Sequence, residues 1–389
     1  MTAICAVVPS FNSELHIEQT VASLLNQTKP LHKIVIVDDG SQDGTLEVIN
    51  RMMRENKNIE LIQLKQNSGP SYARNIGVEH ADSDWILFMD SDDIAHPLLI
   101  EELQAHLERL NRTGDQPEYF LAHPNYRHID EHGKVIDELN YGRPYRKEEA
   151  LGFLLLRNTI ATSGILVNRE LFRKVGGFNT EYRYAEDWDL WLRMSEHSGI
   201  AHINKHLVDI RRHSHNLSAS MSTMHEYEKK VLLSYSLKKI KEAIFRRTKL
   251  SPTQNMCDYV SILFRLDKWE EGYTIIQELK DDDRNDEQVL FLEGIYFLKT
   301  ESAIEAEKRF AEILNVNQCD GASLNNLGAV KLIRGKVEEG RNLLLRALEL
   351  YPNYLDASYN LQANPPYTWK SLKFTWRKLR SKLISYNRQ

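Results

Sequence analysis

Cysteine is scarce in this chain of 389 residues: Cys5, Cys257 and Cys319 lie far apart and form neither a zinc spacing nor a disulfide framework. The expectation is a reducing, cytoplasmic setting, with no exported domain implied. An excess of basic residues is missing too. The formal net charge is -5, which argues against general nucleic-acid binding. No run of about 18 apolar residues occurs, so no transmembrane helix is expected. The apolar stretch Ala3 to Val8 is too short for a signal-peptide core, has no basic residues ahead of it and ends at Pro9. It reads as a first strand. After it the chain has neither a Gly-x-Gly-x-x-Gly turn nor a lysine-bearing phosphate loop, which counts against dinucleotide-dependent dehydrogenases and P-loop enzymes.

What is present begins with short apolar runs that alternate with helical patterns. Ile4 to Val8 leads into the turn Pro9-Ser10-Phe11-Asn12, and a helix follows with Ile17, Val21, Leu24 and Leu25 on one face. Lys33 to Val37 is the second strand and ends in Asp38-Asp39-Gly40-Ser41; Gln42 to Thr45 turns into another helix. Ile59 to Leu64 is a third strand. A helix entered through Gly69-Pro70, with Ser71 as its N-cap and Ala73, Ile76 and Gly77 on a tight face, precedes the fourth, Trp85 to Met89. Strands apolar on both faces, alternating with helices, predict an α/β fold with a mostly parallel sheet and right-handed crossovers. Ligands then bind beyond the carboxyl ends of the strands. Three strands end in polar loops there. Pro97 to Leu110 reads as an amphipathic helix, Tyr119 to Ala122 as a strand and Glu131 to Lys134 as a hairpin turn. His123, His128 and His132 fix no metal geometry and read as solvated or locally bonded.

The fourth strand delivers Asp90-Ser91-Asp92-Asp93. Three crowded carboxylates repel and raise one another's pKa, so such a run points to a hard divalent cation. In extended chain Asp90 and Asp92 leave one face. The competing reading is a single Asp capping the next helix. Asp38 and Asp39 have a similar competitor in ordinary turn chemistry. Near Arg74 the start of a helix offers an anion site.

The segments VVPSFN, VDDGSQDGT and GPSYARNIG…FMDSDD, in this order, resemble the inverting family 2 glycosyltransferases of GT-A fold over about the first 220 residues. The resemblance implies a Rossmann-like GT-A sheet, a nucleotide-diphosphate sugar donor, usually a UDP-sugar, and a manganese or magnesium ion. It implies that Pro9, Ser10 and Asn12 line the nucleotide, with Asp38 after the second strand among the nucleotide-binding residues, that Asp39 contacts the base with Arg74 beside it, and that Asp90-Ser91-Asp92 is the Asp-x-Asp element. Asp92 is then the first metal ligand and Asp93 a second. A later block, Gly176-Gly177-Phe178 followed by Glu186-Asp187, also resembles the family. Inversion requires a base opposite the leaving diphosphate, and a carboxylate suits. Asp187 is that candidate, with Glu186 orienting it or binding acceptor; the alternative is that acids at a helix start only offset its dipole. Trp188, Trp191 and Leu192 read as core or acceptor wall. Arg211 and Arg212 are candidates to meet the diphosphate, and the resemblance places the family's metal-shell histidine on His213, with His215 as the alternative.

The second half turns to leucine, glutamate and lysine with helical periodicity. Gly294 and Gly328 set a period of 34, and Leu324, Leu327, Gly328, Gly340, Leu344, Ala347 and Pro352 fall on the tetratricopeptide pattern. Ala306, Phe310, Gly272 and Ile276 repeat parts of it. The division expected is residues 1–224 for the transferase domain, 225–248 for a connecting helix, 249–365 for all-α tetratricopeptide-like repeats and 366–389 for a basic amphipathic helix. Repeats imply a protein partner or a protein or glycan acceptor. The spacing of Trp369, Leu372, Trp376, Leu379 and Leu383 among cations reads as either a peripheral contact with the inner face of a membrane or a cap on the last repeat.

Overall fold

The computed structural model describes residues 3–112, 118–139, 142–212, 221–279 and 286–377. The chain divides into two compact units, Met1–Lys249 and Leu250–Gln389.

In the first unit β1 (Ile4–Ser10), β2 (Lys33–Asp38), β3 (Ile59–Gln63) and β4 (Trp85–Phe88) form a parallel sheet in the order β3-β2-β1-β4. Successive residues face opposite sides and both sides are covered, so β1, β2 and β4 carry apolar runs, while the edge strand β3 is interrupted by Glu60. Ala6, Val8, Ile34 and Ile36 pack with α1 (Ile17–Leu25), α2 (Thr45–Glu55) and α4 (Leu99–Asn111). Val35 and Val37 face the other way, onto Ala73 of α3 (Pro70–His80). A Cβ on Gly77 of α3 would run into Val7 of β1, so this glycine sets how closely helix and sheet approach.

Beyond β4 the sheet becomes mixed. β8 (Ile165–Asn168) is antiparallel to both β4 and β6 (Tyr119–Ile129); β6 runs parallel to β9 (Gly199–Arg211), and β5 (Ile94–Ala95) closes the edge antiparallel to β9. β7 (Val135–Leu139) pairs with β6 across a turn at Gly133. The sheet is therefore mixed rather than mostly parallel: β1 to β4 are parallel, and so are β6 and β9, while the remaining pairs are antiparallel. Register shifts between Tyr119 and Tyr126 break the alternation along β6, which is why only its first four residues read as a strand. The unit also runs past the expected end at 224. α8 (Met221–Leu233) and α9 (Leu237–Phe245) belong to it, and α9 lies so close on α5 (Lys147–Leu154) that a Cβ at Gly152 would meet the Ala243 carbonyl.

The second unit is all-α: α10 (Pro252–Arg265), α11 (Trp269–Gln277), α12 (Glu287–Lys299), α13 (Ala303–Val316), α14 (Gly321–Ile333), α15 (Val337–Leu350) and α16 (Leu355–Gln362). Small residues sit where helices touch. A Cβ on Gly294 would come within 2.7 Å of Phe310, and one on Gly340 within 2.8 Å of the Gly328 carbonyl. Side chains of Ser251, Asp286 and Asp320 cap α10, α12 and α14. The expected terminal helix is not found over residues 367–377, which form turns and irregular chain; residues 378–389 lie outside the described residues. Leu372 is buried, and Trp369 and Phe374 pack against the helical core. Two side-chain amides take the backbone hydrogen bonds of Lys373 and Thr375 that a helix would have used.

Candidate active site

The polar loops after β1, β2 and β4 sit at one edge of the sheet and are tied together by their own side chains. Asn12, in the left-handed region at φ 48°, accepts from the Gln42 N–H at 2.8 Å, and its own N–H donates to Ser41 Oγ at 2.9 Å. Ser13 and Ser91 share a hydroxyl hydrogen bond of 2.7 Å, joining the first loop to the Asp-rich one. Thr20 Oγ1 donates to the Ser91 carbonyl. Ser91 thus holds the loop in place.

Ser10 and Asp38 are register partners at the ends of β1 and β2. Both are buried, and Ser10 Oγ and Asp38 Oδ1 have no hydrogen-bond partner among the described residues. Buried polar atoms are ordinarily paired, so this pair is suited to a ligand. Asp39 is committed otherwise: its two oxygens accept from the N–H groups of Ser68 and Gly69, each at 2.7 Å. Burial pushes its carboxyl up while those two donors pull it down. It fixes the approach to α3, which begins at Pro70 behind Gly69 with φ 89°, a conformation that favours glycine. Ser71 lies inside this helix and is not the expected cap.

Arg74 is buried on α3 and gathers the acids. Its Nη2 donates to Asp90 Oδ1 at 2.6 Å, and Nη1 stands 3.5 Å from Glu186 Oε1. The guanidinium lies over the Phe178 ring, 5.2 Å from its centroid. Burial opposes its charge, but Asp90, Glu186 and Asp187 raise its pKa. Nε and Nη1 make no hydrogen bond among the described residues, which leaves donors available for an anion.

Glu186 and Asp187 open α7 (Glu186–Ser195) directly after Ala185, whose φ of 57° is strained for a residue with a Cβ. Asp187 accepts from Asn158 Nδ2 at 2.8 Å and from the Trp188 N–H at 2.6 Å. Burial raises its carboxyl pKa, and these donors counter part of the rise. Glu186 is pushed up to about 7 by burial and then by Asp187, with Arg74 opposing. Trp188 and Trp191 are core.

The Asp-rich loop divides its labour. Asp93 is fully buried; one oxygen accepts from the Arg211 N–H at 2.8 Å and the other from Ser163 Oγ, which itself accepts from the Asp90 N–H at 2.9 Å. Burial, then Asp92 and Asp90, raise its pKa well above the usual carboxylate range. With both oxygens occupied it anchors the loop to β9, an arrangement that does not suit the expected second metal ligand. Asp90 and Asp92 are half-buried. Divalent cations that act on phosphates are commonly held by one or two carboxylates, with phosphate oxygens completing the shell. Asp92 with Asp90 fits that donor set. No cluster of three or more candidate ligands occurs among the described residues, and His213 and His215 lie outside them. Arg211 is buried and donates to the carbonyls of Asp92, Asp130 and Glu131, so it is not the expected diphosphate partner.

Four contributors were not read from the sequence. Asn75 clamps the Gly-Gly-Phe turn through both the N–H and the carbonyl of Phe178. Arg193 donates to the Val175 and Gly177 carbonyls. Asn158 and Ser163 hold Asp187 and Asp93. Each acts across a long sequence separation, and only Asn75, inside the quoted GPSYARNIG segment, left a signal.

The fold is an α/β sheet domain with a cluster of charged side chains around Arg74, joined to a helical unit. Residues 5–176, within the first unit, match the family model described as glycosyl transferase family 2. Two relatives in Haemophilus influenzae, each described as an uncharacterized glycosyltransferase, are 36% identical over 35% of this chain and 27% identical over 61% of it. The chain spans 52% of the first relative and 75% of the second. Among solved structures, S. aureus TarS 1–349 in complex with UDP-GlcNAc has a similar fold: TM-score 0.51 at 17% identity, covering 89% of this chain and 91% of that one.

Proposed function

We propose that the protein is a metal-dependent, inverting glycosyltransferase of GT-A type that moves a sugar from a UDP-sugar to a hydroxyl of a protein or cell-surface glycan. The observation that carries this reading is Arg74, buried among Asp90, Glu186 and Asp187 with donors unspent. A cation of this kind suits a pyrophosphate, and carboxylates beyond it suit a base. UDP-GlcNAc bound to the TarS protein of like fold supports the donor class.

Pro9, Ser10, Asn12 and Asp38 would bind the nucleotide, with Asp39 holding the loop beside the base. Asp92, with Asp90, would hold manganese or magnesium, which when bound neutralises charge on the leaving diphosphate. Arg74 supplies a further positive charge to the same oxygens. Asp187, fixed by Asn158, takes the acceptor's proton, and Glu186 orients it. The helical unit reads as tetratricopeptide repeats that engage a partner or acceptor.

Asp187→Asn tests the reading. Transfer, followed as UDP release in a donor screen with manganese and magnesium compared, is expected to fall at least about 100-fold while UDP affinity stays at the wild-type value. Near-normal turnover would assign the base elsewhere. A non-catalytic scaffold is the second reading, favoured only if no nucleotide sugar is turned over by the wild-type chain.

A further inference from the structure

Residues Leu372 to Trp376 lie across the second unit held by asparagine side chains. Asn360 on α16 donates to the Lys373 carbonyl at 2.6 Å and accepts from the Lys373 N–H at 2.7 Å. Asn326 on α14 treats Thr375 in the same way, at 2.9 and 2.8 Å. Asn325 Nδ2 adds a bond of 3.1 Å to the Lys373 carbonyl, while its Oδ1 accepts from Asn360 at 2.9 Å. All three asparagines are fully buried.

In extended chain the backbone groups of alternate residues face one side. Two amides set two residues apart therefore read a backbone, as a sheet edge reads an added strand. Selection among side chains comes from the neighbours. Leu372 is buried among α14 to α16 and Phe374 packs on the helical core. The Thr375 hydroxyl donates to Asp356 Oδ2 at 2.8 Å, accepts from Asn325 Nδ2 at 3.2 Å and meets Tyr354. A buried amide stripped of partners is costly, so this groove requires an extended backbone in it. The segment itself belongs to no helix or strand. What holds it would hold any peptide of matching side chains.

We propose that the α14–α16 groove is a peptide-binding groove filled in cis by residues 372–376, and that an extended segment of a partner polypeptide, aliphatic-x-aromatic-Thr, exchanges with them. This deepens the partner reading of the helical unit but rests on the second unit alone, so its failure leaves the transferase reading untouched, and the reverse.

The test uses the full chain and a fluorescent peptide with the sequence of residues 370–377. Thr375→Asp sets a carboxylate against Asp356 and evicts the cis segment. The peptide is expected to bind this variant at least about tenfold tighter than wild type, where a tethered competitor acts at roughly millimolar effective concentration. Adding Asn326→Ala and Asn360→Ala is expected to abolish that binding, as is Asp in place of Thr in the peptide. A folded Thr375→Asp chain that binds no tighter than wild type overturns the proposal. Should the variant not fold, a photoreactive version of the peptide at millimolar concentration is expected to crosslink wild-type α14 or α16, and absence of the crosslink overturns it. A dimer that the peptide converts to monomer would assign the groove to a second copy and overturn occupancy in cis.

Discussion

Arg74 explains why acids far apart in sequence can share one buried place. It neutralises part of their charge, yet Glu186 still has its pKa raised from 4.5 to about 7 because burial and Asp187 outweigh the guanidinium. The folded state therefore holds a proton that the unfolded state releases, so wild-type stability falls as pH rises from about 4.5 to about 7. Glu186→Gln removes this dependence. Across that window the variant is expected to gain on wild type by up to about 3 kcal/mol, read from urea unfolding at several pH values; a constant difference would show that Glu186 is not the titrating group. At this scale the sequence points to Arg74, Asp90, Glu186 and Asp187 but not to the way the three acids share the buried arginine or to the partners that hold each one. Asp90, Glu186 and Asp187 all bear on Arg74. Asp93 and Arg211 look like ligands in sequence because acids and arginines so often are, but their burial against Ser163 and backbone carbonyls makes them supports.

Among the elements, α3 couples the sheet to the site. Its N-terminal half carries Arg74, its start is pinned by Asp39, and Gly77 lets it lie against Val7. Gly77→Ala is expected to destabilise by about 1–3 kcal/mol through overpacking and to weaken UDP binding, because Arg74 moves with the helix; calorimetric melting with and without UDP measures both effects. Loss of stability with unchanged UDP affinity would uncouple the two. The tight face of α3 was legible from Ala73 and Gly77. β1, β2 and β4 were legible because burial on both faces leaves an unbroken apolar run, and β3 from its Ile and Leu residues despite Glu60. β6 was legible only over Tyr119 to Ala122 and β9 not at all, since His123, Asn125, His128, His202 and His206 interrupt them and the register shifts hide the period.

For the molecule as a whole, two units fold around separate cores, and the boundary lies at Lys249. Residues 1–249 expressed alone are expected to give a cooperative melt and bind UDP. A fragment ending at 224 loses α9 and exposes the α5 face around Gly152, and it is expected to melt lower or aggregate; equal melting of the two would return the boundary to 224. Helical repetition in the second unit was legible from Gly294 and Gly328. The strap over residues 372–376 was not, because its three-four spacing of apolar residues imitates a helix while its partners, Asn326 and Asn360, are distant in sequence. The transferase account depends on a cation and a diphosphate meeting Asp92 at the carboxyl edge of the sheet. Titration calorimetry of UDP against wild type and Asp92→Ala, with manganese and with chelator, tests this most directly. Wild type is expected to bind at least about tenfold tighter with manganese, roughly 1.4 kcal/mol, and the variant to bind at the wild-type chelator value in both conditions. A variant that responds to manganese as wild type does, or that loses as much affinity in chelator, would contradict it.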